Sequence, residues 1–76
     1  MNIKEMNSPF DIGLTELIKS KGLKQVYIAE KAGYSKQELS DMLNGRKLIK
    51  ACDIMKLSMA LGVTSNDIYA AGKKSK

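Results

Sequence analysis

The 76-residue sequence has no histidine and a single cysteine, Cys52, so one copy cannot assemble the usual zinc ligand sets or a Ser–His or Cys–His nucleophile pair. A lone cysteine forms no intrachain disulfide either. Cys52 falls on the apolar side of a predicted helix and is read as a small buried residue, the alternative being a reactive thiol. Glycine-rich phosphate loops are missing, and the carboxylates are scattered singly, without a pair placed for acid and base work. The chain is therefore read as no enzyme, and no metal or cofactor is expected. A membrane reading needs either a long apolar run or a basic amphipathic helix with bulky aromatics, and no stretch approaches the roughly 18 uninterrupted apolar residues of a membrane helix. Residues Met1 to Phe10 lack the apolar run of a secretory signal, which points to the cytoplasm. Phe10, Tyr27, Tyr34 and Tyr69 are the only aromatic residues. The core must then be built from Leu, Ile, Val, Met and Ala, a palette that suits packed helices better than strands.

What is present is a single domain's worth of chain with a hydrophobic fraction of 43%. Thirteen Lys and Arg against eight Asp and Glu leave a net charge of +5, which points to a polyanionic partner such as nucleic acid or an anionic surface.

Glycines punctuate the sequence. Gly22, Gly33, Gly45, Gly62 and Gly72 each follow an apolar-periodic stretch, so five short helices are predicted. The first runs from about Pro9 to Lys21, with Ser8 as N-cap, Pro9 in the first helical position, Asp11 in the first turn and a stripe of Phe10, Leu14, Leu17 and Ile18. The second, about Gln25 to Ala32, buries Ile28, Ala29 and Ala32. Ser35 and Glu38 have the spacing of a capping box and open a third helix that reaches Leu43 or Asn44. A fourth, near Lys50 to Leu61, carries Ile54, Leu57 and Leu61 on one face. Thr64 caps the fifth, with Asp67 at its third position and Ile68 turned inward. Residues 1–8 read as a lead-in, 9–71 as the domain, and 72–76, with Lys73, Lys74 and Lys76, as a mobile basic tail.

The segment Gln25 to Leu43, QVYIAEKAGYSKQELSDML, resembles a helix-turn-helix of the Cro and phage-repressor (XRE-like) family. Such a motif needs a small residue where its two helices meet, a residue at ease with positive φ in the turn, and apolar residues on the facing sides. Ala29 and Gly33 supply the first two; Ile28, Ala32, Tyr34, Leu39 and Met42 supply the third. Leu43 to Ile68, LNGRKLIKACDIMKLSMALGVTSNDI, is similar to the family's Asn-Gly turn, basic loop and final two helices, and a weaker likeness spans about Asp11 to Tyr69. The resemblance implies an all-α, five-helix, lambda-repressor-like DNA-binding domain.

At about 100° per residue, Lys36, Gln37, Ser40, Asp41 and Asn44 share an arc of roughly 140° on the third helix, opposite Leu39 and Met42. By resemblance this face enters the major groove, with Lys36, Gln37, Ser40 and Asp41 as base contacts. Their chemistry agrees: Lys36 can donate to guanine O6 and N7, Gln37 can bond adenine at two points, and Asp41 can accept from cytosine N4. Gln25, at a helix N-terminus, takes a phosphate-binding role and braces Lys36; Asn44, Arg46 and Lys47 follow the backbone along the turn and loop. Three features depart from the family pattern. Lys24 leaves the second helix without a side-chain cap, Leu48 and Ile49 stand where basic residues or proline are common, and Leu43 replaces a frequent glutamate. Leu43, Leu48 and Ile49 together form an apolar group that suits the fourth helix or a partner subunit. The function expected is that of a transcriptional regulator, a repressor of Cro-like or antitoxin-like kind. It would bind double-stranded DNA as a homodimer and answer to a protein antagonist or toxin partner. The alternative is a helix-turn-helix scaffold serving protein interaction.

Overall fold

Several helix ends in this chain are fixed by a nearby group that takes the loose backbone N–H or C=O groups of the terminus. The computed structural model describes residues 2–74, and among them are six helices: α1 (Ile3–Asn7), α2 (Phe10–Ser20), α3 (Gln25–Ala32), α4 (Lys36–Leu43), α5 (Ala51–Leu61) and α6 (Ser65–Lys74). Gly33, at φ 87°, closes α3 in the left-handed region, so that Tyr34 N–H reaches back to the Ala29 carbonyl at 2.8 Å. Thr64 and Asp67 form the complete reciprocal cap of α6, each side chain accepting from the other's backbone N–H at 3.2 and 3.0 Å. Those Thr64 bonds hold the Asp67 carboxyl below its ordinary pKa.

Five of these helices are the ones predicted; α1 is the addition. Asn2 caps it, accepting from the Glu5 N–H at 2.9 Å while Glu5 returns to the Asn2 N–H. Ser8 terminates α1 and does not cap α2, which starts at Phe10 with Pro9 as its N-cap.

Phe10, Leu14, Ile28, Leu39, Met42, Leu57 and Ile68 are the largest fully buried apolar side chains, and α2 to α6 all contribute to this core. Phe10 meets Tyr69 edge to face at 5.2 Å. The closest helix pair is α2 with α6. A Cβ on Gly13 would lie 1.7 Å from the Ile68 carbonyl oxygen, and one on Gly72 would lie 2.0 Å from that of Pro9. The two helices touch backbone to backbone, so Gly72 is a crossing point inside α6 rather than the stop that follows it. Lys73 and Lys74 are accordingly helical and not a tail, while Lys76 lies outside the described residues.

Cys52 also differs from expectation. It is exposed on α5, whose inward positions are Asp53, Leu57, Ser58, Ala60 and Leu61. Asp53 accepts from the buried Tyr34 hydroxyl and from the Lys50 N–H at 3.0 Å, tying the turn between α3 and α4 to the start of α5. Burial alone would raise the Asp53 pKa, but these donors and the nearby lysines reverse it to a net lowering. The Tyr34 hydroxyl is pushed well above its usual value, by burial first and then by Asp53.

Candidate nucleic-acid interface

The α3–turn–α4 unit is set by a residue without bulk. Ala29 is fully buried, and Leu39 and Met42 anchor the inner side of α4 in the core at zero exposure. Opposite them, Lys36 and Gln37 are exposed and Ser40 and Asp41 half-buried. Asn44 and Arg46 are exposed just beyond, with Lys47 half-buried on the same loop and Gln25 half-buried at the first turn of α3. The structure thus places all eight sequence-predicted residues on α4, the loop after it and the start of α3. Lys24 does leave α3 uncapped by any side chain. Among the described residues, neither Gln25 nor Lys36 makes a side-chain hydrogen bond, so the brace between them is not formed in the free chain.

Several of the others are joined. Asp41 Oδ1 accepts from Gln37 Nε2 at 2.9 Å and from Arg46 Nε at 3.0 Å. Arg46 chiefly, then Gln37, holds the Asp41 carboxyl below its ordinary pKa. Asn44 Nδ2 donates to the Ser40 carbonyl at 2.8 Å and to its hydroxyl oxygen at 3.2 Å. Ser35 caps α4 by accepting from the Glu38 N–H at 3.1 Å, but the Glu38 carboxylate turns to Lys47 instead of completing the box. That pairing lowers the Glu38 pKa and raises that of Lys47. An anion approaching the loop must compete with Glu38 for Lys47, whereas Lys36 forms no ion pair among the described residues.

The loop is shaped from behind by residues that sequence reasoning missed. Asn7, only 2% exposed, donates to the Met42 and Lys47 carbonyls at 3.1 and 3.0 Å and accepts from the Ile49 N–H at 2.8 Å. Lys4 reaches the Leu43 carbonyl at 3.0 Å and pairs with the buried Asp11. A Cβ on Gly45 would lie 2.8 Å from Lys4 Cβ, so glycine there permits both the left-handed turn (φ 76°) and the approach of α1. The local signal available was Asn2 followed by Glu5; nothing local ties Asn7 to partners up to 42 positions away. Of the apolar residues Leu43, Leu48 and Ile49, Ile49 is buried in the core and Leu43 packs against that core, while Leu48 stays half-buried. Among the described residues, no helix is long and apolar enough to cross a membrane.

Comparison with known proteins agrees with this geometry. The helix-turn-helix family profile matches residues 14–68. The solved structure of the clp gene regulator ClgR from C. glutamicum superposes with a TM-score of 0.82 at 23% identity, over 92% of this chain and 91% of that one. The restriction-modification controller protein C.AhdI from Aeromonas hydrophila gives a TM-score of 0.74 at 26% identity, over 82% of this chain and 94% of that one. No curated protein sequence matches. From Leu14 on the core stripe of α2 to Ile68 in the core, by way of the Ala29–Gly33–Leu39 turn geometry, this chain belongs to the helix-turn-helix family of the Cro and phage-repressor (XRE) type.

Proposed function

We propose that the protein is a sequence-specific regulator of transcription that binds double-stranded DNA through α4 in the major groove, with residues 9–71 as the binding unit. One observation carries this reading: the inner side of α4 is locked into the core by Leu39 and Met42 while Lys36, Gln37, Ser40 and Asp41 project from the other. Lys36, Gln37 and Ser40 meet base edges, with Asp41 beside them; Gln25, Asn44, Arg46 and Lys47 face phosphates. Asn44 must release a bond to Ser40 to donate elsewhere, whereas the Lys47 ammonium has donors to spare beside Glu38 but meets phosphate against that carboxylate's charge. Of the two comparison structures one is a clp gene regulator and the other a restriction-modification controller protein, which supports a regulatory role here. One recognition helix reads only a few base pairs, so the chain acts as a homodimer on a two-fold operator. The regulation is repression of Cro-like or antitoxin-like kind, controlled by concentration or by a protein antagonist or toxin, in the cytoplasm.

A second reading, a scaffold for protein interaction, draws on Met55 and Met59, which are 66% and 73% exposed on α5. Selection of bound sites from random duplex DNA separates the two. Enrichment of an inverted repeat is the outcome expected; enrichment of nothing would favour the scaffold.

A further inference from the structure

We infer that Asp41 is a positioning residue that fixes which way round the Gln37 amide faces DNA, because one Asp41 oxygen holds both Gln37 Nε2 and Arg46 Nε. The inference deepens the DNA-reading role proposed above and rests on it. A carboxylate only accepts hydrogen bonds. The Gln37 amide must therefore turn its nitrogen toward Asp41, since its oxygen in that place would face another oxygen with no proton between them. This leaves Oε1 and the second N–H of Nε2 for a base, in one fixed order. Adenine offers an acceptor at N7 and a donor at N6, so Gln37 held in this way matches that pair in one sense only. The terminal torsion of an unheld glutamine is broad, and such a side chain would present either order. Arg46 is treated similarly. Its Nε is occupied, so both terminal nitrogens stay free for phosphate and the guanidinium plane is set in advance.

The fold does not depend on this side chain. The Asp41 main-chain carbonyl accepts from the Arg46 and Lys47 N–H groups at 2.8 and 3.1 Å, which holds the loop whatever side chain stands at position 41. The carboxylate side chain is itself 30% exposed. An alanine there holds neither Gln37 nor Arg46, so the Gln37 amide is free to present either order.

The test compares wild type, Asp41→Ala, Gln37→Ala and the double variant, using the wild-type-selected duplex, each single-base change of it and a scrambled duplex, with thermal melting alongside. Asp41→Ala should melt close to wild type and bind the scrambled duplex at least as well, having one anion fewer. It should lose about tenfold of the preference at the same base pair that Gln37→Ala relaxes, and the double variant should lose no more there. Relaxation at a different base pair would mean that Asp41 reads a base itself and would overturn the inference. An equal change on every duplex, weaker or stronger, would also overturn it, leaving Asp41 as a structural or merely repulsive charge. If wild type selects no sequence, the DNA-reading role fails and the inference with it; a selective wild type with an additive double variant refutes the inference alone.

Discussion

Tyr34 and Asp53 show how much one buried hydrogen bond contributes at the scale of a residue. Tyr34→Phe removes the donor and leaves a buried carboxylate short of a partner, so stability at neutral pH should fall by about 1.5–3 kcal/mol. The loss should depend on pH at both ends. The folded pKa of Asp53 is depressed, so its contribution is present above the ordinary 3.8 and disappears as pH falls through the folded value. The pKa of Tyr34 is raised, so its contribution is full below 10.0 and declines as pH climbs above that. Denaturant titrations of the two proteins across pH should show a gap that is widest in the neutral range and narrows in acid and in alkali; a constant gap would refute the coupling. On the outer side of α4, Gln37→Ala should cost about 1 to 3 kcal/mol on the preferred duplex and little on others. Lys47→Ala should weaken all duplexes about equally and reduce the salt slope by about one per subunit. Equilibrium binding against single-base variants distinguishes the two, and a base-selective loss from Lys47→Ala would displace the assignment. The candidate side chains were legible because α4 has a strict polar side and a strict apolar one. Their mutual bonds were less so: Gln37 to Asp41 is a helical i,i+4 spacing, but Arg46 folds back from a loop whose path no periodicity encodes.

At the scale of an element, the crossing of α2 and α6 depends on two residues that have no side chain. Gly13→Ala puts a methyl group where the Ile68 carbonyl stands, and the helices must part. Alanine favours a helix over glycine by about 1 kcal/mol, but overpacking of this kind costs more, so a net loss of about 2 kcal/mol or greater is expected in thermal or urea unfolding. A variant as stable as wild type would mean that the helices are not in backbone contact. Gly72 is the instructive misreading. Glycine after an apolar stretch is the usual mark of a helix end, and at Gly33 and Gly62 it is one, with φ of 87° and 70°. At Gly72 the neighbour across the core decides, and a neighbour in space leaves no trace in a local pattern. The same reason applies to Cys52, whose exposure turns on the rotation of α5 against α3 and α6. Caps, by contrast, were legible where both partners sit within one turn, as at Thr64 and Asp67. Ser35 followed that rule only in part, because Lys47, nine positions after Glu38, drew that carboxylate away.

On the scale of the whole molecule, a net charge of +5 is arranged so that loop cations are already paired with Asp41 and Glu38. DNA binding should still weaken with salt, with log affinity falling against log salt at a slope of about −2 to −4 per subunit, for two to four cationic phosphate contacts. Titration at several salt concentrations measures it, and a slope near zero would contradict an electrostatic interface. The body of five helices was readable because each carries its own apolar period. The additional helix, α1, was not, because its Ile3 and Met6 are 37% and 53% exposed and contribute nothing to the core. Polar bonds through Lys4 and Asn7 are what attach α1 to the loop beyond α4. A segment held that way is the first to open in solution, at a free energy well below that of global unfolding. Amide exchange would expose this directly. The Ile49 amide, bonded to Asn7 in an otherwise buried position, should trade its proton for deuterium at the rate of α1 release and not at the rate of Ile28 or Leu57 in the core. The loop proposed to meet phosphate would then carry a built-in clock, running on the opening of five residues at the far end of the chain.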